Sequence, residues 1–422
     1  MQKRFVHRCV IFIVLLSILA GCQSISTARK NQYQPTLTVS KIQSRTTTPI
    51  KPVITQLPTT LPTAIPTAVS SYPQDYIDAT VWVQDPQVPV LQYHRFLPNT
   101  YKESYPTKTL LRDFETELQT LYDNGFVLVS LQDWIGGNLQ VLAGRRPIII
   151  TLDDAFFADQ IYLENNGQPS SNSGLGALWE FSQQHPDFGF AASLFANMGD
   201  KVYGNIKVGN WYENGPGWEN SLAKVIAWCI QHNAMPYNHM YTHPRLDLTR
   251  TDQIEWELEK NDQSIRSLLL RINELNLVNG VDNMVALPYG EWPPSKVGKQ
   301  VILSYKNPEG RPLDAVLESG YYYNAKYLPA PYSLTFNPWH IPRIAAHIPA
   351  INYLVSQINQ FPTASTCRLG PVQSAQMGDN LYLMKQISNA IRENGCPEGV
   401  YSFSGKLFRA SKNQITIIDL NQ

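Results

Sequence analysis

The sequence has few charged residues and no net charge. Asp, Glu, Lys and Arg make up 16% of its 422 residues, and 34 basic residues balance 34 acidic ones. Residues 1–74 contain eight of the basic residues and no acidic one. The other 26 basic residues and all 34 acidic ones lie in residues 75–422, whose net charge is therefore −8. An acidic part without a basic stripe argues against nucleic-acid binding, which depends on neutralising phosphates. The low charge content is typical of an exported protein.

Cysteine is also scarce, with five in the chain. Cys9 and Cys22 belong to the N-terminal segment described next. Cys229 lies in an apolar helical run, where a buried free thiol is expected. Cys367 and Cys396 could close a loop as a disulfide, since an exported compartment permits one.

Residues 1–21 are typical of a lipoprotein signal peptide. Basic residues precede an apolar run, Val10–Ala20, that is too short to span a bilayer stably. The following Gly21-Cys22 resembles the lipobox of bacterial lipoproteins, in which the cysteine thiol is lipidated and becomes the new N-terminus; a plain secretory signal is the alternative. We therefore expect an exported protein that a lipid on Cys22 anchors to the bacterial membrane or cell surface.

Residues 22–74 have the composition of a linker. They are rich in Thr and Pro and almost free of aromatic residues. Such a segment cannot bury enough apolar surface to offset the entropy of the chain, so a disordered stalk is expected.

From residue 88 onward, strand and helix patterns alternate. Val88–His94 is a short apolar strand, and Pro147–Leu152 is the most apolar strand in the chain, as in a parallel sheet covered on both faces. Further expected elements are a strand over 188–196, helices over 221–232 and 252–273, and a strand over 284–287. This pattern predicts an α/β layer or barrel over residues 75–362, with chemistry at the carboxyl ends of the strands.

Residues 363–422 look like a C-terminal α+β extension. The pattern predicts a helix over 381–393 and strands over 399–403 and 414–419. The extension could complete the preceding domain or contribute to glycan binding, and the sequence leaves both open.

Two motifs carry candidate chemistry. The most apolar strand ends in Asp153-Asp154, and His239 is followed by His243 four residues later. If the two histidines lie on one face of a helical turn, both can reach a metal. With one carboxylate from a neighbouring strand end, they would form a two-His, one-carboxylate site that leaves positions open for water and substrate.

These motifs, with two others, resemble those of the polysaccharide deacetylases, carbohydrate esterase family 4, which share the NodB-homology domain. The matching segments are Tyr93-His94, Thr151–Asp154, His239–Pro244 and Leu287–Gly290, in that order along residues 85–345. The resemblance implies a deformed (β/α) barrel. It also implies a metal-dependent hydrolase that removes N-acetyl groups from a cell-wall or extracellular polysaccharide.

The resemblance also assigns roles to residues. Asp154, His239 and His243 would hold one divalent metal ion, and Asp153 would be the general base that takes a proton from the attacking water. The backbone N–H of Tyr289 would help to hold the oxyanion. Zinc suits the two-His, one-Asp ligand set, and cobalt, nickel and manganese are alternatives.

The general acid and the group that orients the base are less clear from sequence. His340 is preferred as the acid, with a structural histidine as the alternative, and His94 could border the pocket or simply pack under its strand. The Arg that commonly precedes the Pro-Tyr-Gly stretch is replaced by apolar residues, and Ala155 stands where the family has Gly. Arg343 could supply the missing cation from another strand or be a purely structural arginine.

The sequence leaves two other questions open. Loop aromatics at Trp211, Tyr212 and Trp218 could stack on sugar rings or pack locally. The same scaffold could instead cleave an acetyl ester or a non-sugar amide, or serve as a non-catalytic glycan-binding lipoprotein.

Overall fold

A computed structural model describes residues 75–104, 107–199, 217–321, 336–372 and 376–418. The predicted signal peptide, the lipidation site at Cys22 and the linker lie outside these residues, as do Trp211 and Tyr212. None of the helices in the described ranges combines the length and the apolar character that crossing a membrane requires.

Strands and helices alternate through most of this part of the chain. The strands are β1 (Asp75–Trp82), β2 (Val90–Tyr93), β3 (Arg95–Leu97), β4 (Lys108–Leu110), β5 (Phe126–Leu128), β6 (Arg146–Ala155), β7 (Ala192–Ala196), β8 (Ala234–Asn238), β9 (Met284–Ala286), β10 (Ala315–Tyr321), β11 (Ile341–Ala345), β12 (Ser365–Val372), β13 (Gly399–Phe403), β14 (Lys406–Ser411) and β15 (Gln414–Ile418). The helices are α1 (Leu111–Asp123), α2 (Leu131–Ile135), α3 (Gly174–Gln184), α4 (Trp218–Gln231), α5 (Thr251–Arg271), α6 (Lys296–Leu303), α7 (Ile348–Ser356) and α8 (Asn380–Asn394).

Seven parallel strands close into a ring. Their order is β2-β11-β10-β9-β8-β7-β6, and β6 pairs again with β2, while β5 joins the lower part of β6. The ring is uneven, since the register of β8 and β9 has one matched pair, Asn238 with Val285. The predicted α/β fold, a deformed (β/α) barrel, is confirmed.

Side chains alternate between the inside of this ring and the helices around it, as strand geometry requires. Val90, Ile149 and Phe195 belong to one buried apolar cluster, and their neighbours Leu91 and Ile150 belong to another that includes the surrounding helices. The alternation explains why the central strands consist almost entirely of apolar residues. The same alternation directs Gln92 on β2 and Asp153 on β6 toward the inside of the ring.

A second sheet contains the C-terminal strands. It is antiparallel, with the order β12-β1-β13-β14-β15, and α8 packs on one face. Cys367 on β12 and Cys396 after α8 form a disulfide, so the pairing considered from the sequence is confirmed. β1 precedes the barrel in sequence yet pairs with β12 and β13, so this sheet draws one strand from outside residues 363–422. The domain boundaries themselves stay a prediction.

The expected secondary structure agrees well with these elements. The two long helices predicted over 221–232 and 252–273 are α4 and α5, and the predicted C-terminal helix is α8. The strand expected over 188–196 begins only at Ala192, because Gly189 has a φ of 79° that interrupts an extended chain. Cys229 is a fully buried free thiol, as expected.

Candidate metal centre

Both carboxylates at the end of β6 reach one site because the strand is distorted there. Consecutive residues of a regular strand point to opposite faces. Asp154 instead has a φ of 59°, and the register between β6 and β7 shifts between Asp153 and Ala155. Such a bulge re-aims side chains, and positive φ is costly for a residue other than glycine. The site is thus built on a strained backbone, with Asp153 2% and Asp154 8% exposed.

The two histidines lie in a loop, and the predicted helical turn is wrong. β8 ends at Asn238, and Met240 and His243 have φ values of 61° and 52°, so the chain turns back sharply. Left-handed residues cannot continue a right-handed helix. The loop nevertheless brings the two imidazoles together, with ring centroids 4.8 Å apart.

Helix α5 holds this loop in place through buried polar groups. Glu257 is fully buried and accepts hydrogen bonds from the backbone N–H and the hydroxyl of Thr242, both at 2.6 Å. Asn238 donates to Asp262 at 2.7 Å. Because buried hydrogen bonds to a carboxylate are strong, these contacts offset the strain of the loop. The sequence offered no local signal for Glu257, since its partner lies 15 residues away.

Asp154, His239 and His243 form a group with the geometry of a metal site. Their ligand atoms all lie within 4.8 Å of one another, and Asp154 Oδ1 lies 3.7 Å from the Nε2 atom of each histidine. Ligands at about 2.1 Å from a tetrahedral ion lie about 3.4 Å apart, so the spacing is close to what a zinc-sized ion needs. Two imidazoles and a carboxylate are also a suitable donor set. Asn197 donates to Asp154 Oδ1 at 3.0 Å and orients this carboxylate.

His239 is prepared to act as a ligand through Nε2. Its Nδ1 lies 2.8 Å from the carbonyl oxygen of Ala286, which can only accept, so Nδ1 carries the proton. Burial lowers the pKa of His239 to about 3, even though the nearby Asp153 acts in the opposite direction. The ring is therefore neutral at physiological pH, with the Nε2 lone pair directed into the site.

Asp153 is held by Arg343, which was one of the two alternatives for this arginine. The guanidinium is fully buried and donates through Nη1 to Asp153 Oδ1 at 2.6 Å and through Nη2 to Oδ2 at 2.8 Å. It also donates to the Glu318 carbonyl oxygen at 2.7 Å. Burial alone would raise the pKa of Asp153, but the charge and hydrogen bonds of Arg343, together with the neighbouring imidazoles, hold it well below its usual range.

Two further residues of this region come from the first strand of the barrel. Gln92 is buried and donates through Nε2 to Asp153 Oδ2 at 2.7 Å, a role that the sequence analysis missed. The only available signal was a polar residue in an apolar strand. His94 follows it on the same face; burial lowers its pKa to about 4, and the charges of Asp153, Arg343 and His243 also act on it.

Tyr289 lies beside the metal group, in the Pro-Tyr-Gly stretch that follows β9. Its ring centroid is 4.6 Å from that of His243, and its φ of 57° is left-handed. A Cβ on the following Gly290 would lie 2.4 Å from the backbone nitrogen of Ser319, so only glycine fits against β10 there. The assignment of the Tyr289 N–H to the oxyanion stays a prediction.

His340 and Trp218 have different surroundings from the metal ligands. The His340 side chain is 53% exposed, and its Nδ1 lies 2.8 Å from Glu318 Oε1. Its role as general acid stays a prediction. Trp218 is the first residue of α4 and packs partly buried against the core, so among the three aromatics considered for sugar stacking it has a local packing role.

Comparisons with known proteins gave matches among solved structures alone. No family model and no curated protein matches the chain. The deacetylase PplD of Streptococcus pyogenes in complex with acetate is 13% identical, covers 65% of this chain and 99% of its own, and has a TM-score of 0.42. A polysaccharide deacetylase from Bacillus cereus is 16% identical with coverages of 65% and 69% and a TM-score of 0.40. A de-N-acetylase from Aggregatibacter actinomycetemcomitans is 12% identical with coverages of 63% and 99% and a TM-score of 0.41.

Identities and TM-scores this low leave the activity of this chain to be judged from its own residues. The chain is thus similar, at low identity, to solved polysaccharide deacetylases.

Proposed function

We propose that this protein is a metal-dependent hydrolase that removes N-acetyl groups from a cell-wall or extracellular polysaccharide. The observation that carries the proposal is the pairing of the Asp154, His239 and His243 group with a second, ion-paired carboxylate, Asp153, at the same strand end. A metal-binding role alone would not need the second carboxylate. A metal ion that makes water more acidic, together with a carboxylate that accepts the proton of that water, is a combination that can hydrolyse an amide.

Each residue has a part in this proposal. Asp154, His239 and His243 would hold one divalent ion, for which zinc is the first candidate. The ion would supply Lewis-acid chemistry, polarising an amide carbonyl and making a water molecule more acidic. Asp153, which Arg343 keeps as a carboxylate, would accept the proton of the attacking water. The backbone N–H of Tyr289 would donate to the oxygen that becomes negative.

His340 would protonate the departing amine. Its Nδ1 faces a carboxylate oxygen of Glu318, which accepts a hydrogen bond, so Nε2 is the nitrogen left for the substrate. A His held in this way has a defined orientation, as a proton donor requires.

We also propose that the protein is exported and held at the bacterial membrane or cell surface by a lipid on Cys22. The support is the signal-like residues 1–21 and the Thr- and Pro-rich residues 22–74, which would let the catalytic part reach a surface polymer.

The proposed activity is tested by measuring metal content and acetate release from N-acetylated cell-wall and exopolysaccharide fragments. We expect the wild-type protein to bind about one zinc-sized ion and to release acetate, and a chelator to abolish the release. Asp153→Asn should retain its metal and lose about 10²- to 10⁴-fold in kcat, the usual range for loss of a general base. Asp187→Asn is the control and should keep full activity, because this partly exposed carboxylate pairs with Arg145, just before β6 and at the opposite end of that strand from Asp153.

Two results would contradict this proposal in different ways. Absence of both bound metal and acetate release would refute a metal-dependent deacetylase. Equal acetate release by the wild type and Asp153→Asn would refute Asp153 as the base while leaving the hydrolase in place.

A further inference from the structure

We infer that Gln92 on β2 is a second positioning residue for Asp153, acting together with Arg343 on the neighbouring strand β11. The inference rests on the proposed function, because it concerns the base of that reaction. The Gln92 side chain connects the backbone of β10 to the Asp153 carboxylate across the inside of the ring: its Oε1 accepts from the Gly320 N–H, and its Nε2 donates to Asp153 Oδ2.

The orientation of this amide follows from hydrogen-bond chemistry. The backbone N–H of Gly320 can only donate, so the atom of Gln92 that faces it must be the carbonyl oxygen. The NH₂ group is therefore the end that faces Asp153, at 2.7 Å from Oδ2. The chain of hydrogen bonds thus has one direction, from a fixed backbone donor to the carboxylate.

The amide has no room to turn away from these partners. The side chain of Gln92 is buried, since the residue is 3% exposed. The backbone is also fixed, because the backbone carbonyl oxygen of Gln92 accepts a hydrogen bond from the Ala346 N–H at 3.0 Å. A Cβ on Gly320 would lie 2.5 Å from Gln92 Oε1 and from the Ala345 nitrogen, so β10 approaches Gln92 as closely as a chain can. A polar side chain packed in this way is held in one rotamer.

The contact adds something that the arginine cannot supply. Arg343 donates to both carboxylate oxygens of Asp153, but the guanidinium and the carboxylate can still shift together as one unit. Gln92 adds a bond to Oδ2 from a different strand, which fixes the carboxylate relative to β2 and β10. Donors on two strands, β2 and β11, thereby define the position of Asp153 with respect to the metal group, with its Oδ2 3.8 Å from His239 Nε2.

The test is a comparison of kcat, KM and metal content in variants of the full-length protein. Gln92→Met keeps the length of the side chain and removes both hydrogen bonds. Gln92→Asn keeps a buried amide but is one methylene too short to bridge Gly320 and Asp153. The matched control is Asn283→Leu. Asn283 directly precedes β9, and its buried side-chain amide donates a hydrogen bond to the backbone carbonyl oxygen of Arg311.

We expect both Gln92 variants to lower kcat by about 10-fold, as is usual for groups that orient a catalytic residue, with KM and zinc content within about twofold of the wild type. Asn283→Leu should lower the melting temperature comparably and leave kcat unchanged. A kcat within twofold of the wild type in either folded Gln92 variant would overturn the inference, as would a kcat loss that only follows lost zinc. An inactive wild type would instead refute the proposed function.

Discussion

Side chains on the two faces of strand β2 donate hydrogen bonds to two buried carboxyl groups, and the pKa values of these groups are shifted in opposite directions. On the inner face, Gln92 donates to Asp153, which also has the Arg343 guanidinium. On the outer face, the hydroxyl of Tyr93 donates to Glu117 Oε2 at 2.8 Å, and Glu117 Oε1 has no hydrogen-bond partner among the described residues. Burial is nearly the same, since Asp153 is 2% and Glu117 1% exposed.

The outcome for the two carboxyl groups is opposite. The cation holds the pKa of Asp153 well below its usual range, whereas burial raises the pKa of Glu117 to about 8 despite the Tyr93 hydrogen bond. Burial disfavours charge in both places, and the effect is reversed only at Asp153, where the Arg343 cation and other polar groups surround the carboxylate. The carboxylate assigned to accept a proton is thus paired with a cation, whereas the one bonded to Tyr93, whose ring contacts Phe114, stays protonated up to about pH 8.

Removing the Arg343 cation should have the largest effect on the difference between Asp153 and Glu117. Arg343→Met should destabilise the fold by about 3–5 kcal/mol, because it leaves Asp153 buried and uncompensated. It should also lower kcat by about 100-fold or more, since the base is no longer held as a carboxylate. Urea unfolding and acetate release measure the two effects.

A double variant separates charge from packing in this experiment. Arg343→Met combined with Asp153→Leu should recover most of the stability and none of the activity. The control is Arg368→Met, whose ion pair with Asp78 is exposed and should contribute nothing measurable. Unchanged stability of the single Arg343 variant would show that the ion pair does not offset the burial of Asp153.

The second test concerns the neutral acid. The pKa of Glu117 is higher in the folded state, about 8, than the ordinary value of 4.5, so the folded state binds the extra proton between these values. Stability from this group is therefore full below about pH 4.5 and is lost as pH rises to about 8, by about 1.4 kcal/mol for each pH unit, or about 5 kcal/mol in all. In Glu117→Gln this loss should disappear.

Urea unfolding at pH 5, 6.5 and 8 measures this pH dependence. The exposed Glu255→Gln on α5 is the matched control and should follow the wild type at each pH. A Glu117→Gln curve that keeps the wild-type slope between pH 5 and pH 8 would show that Glu117 ionises normally in the folded protein.

The smallest expected effect comes from Tyr93→Phe. Loss of one buried hydrogen bond should cost about 1 kcal/mol near pH 6. Because the hydroxyl also lowers the pKa of Glu117, its removal should extend the pH-dependent loss of stability above pH 8. The same unfolding series reports both changes. The control is Tyr122→Phe, which removes a hydroxyl that bonds Asp187 and should not change the pH at which the loss of stability ends. If the loss of stability ends at the same pH in Tyr93→Phe as in the wild type, Tyr93 does not affect the ionisation of Glu117.

The barrel and the metal group could be predicted from local patterns. Apolar strands, amphipathic helices and the Asp-Asp and His-x-x-x-His spacings each involve residues near one another in sequence. The helical turn at His239–His243 could not be corrected in this way, because spacing alone does not distinguish a turn of helix from a loop that α5 holds through Glu257. The C-terminal sheet was also only partly predicted, since β1 joins it from the far end of the described chain.

The sequence by itself determined which residue types meet at the carboxyl ends of the strands. It placed Asp153 and Asp154 after the most apolar strand, and a parallel α/β sheet brings strand ends together. Only the tertiary structure decided that Arg343 and Gln92 converge on Asp153, from β11 and β2. The reason is physical: strand order in a closed ring brings together residues that are 190 and 61 positions apart from Asp153, and no local pattern records that order.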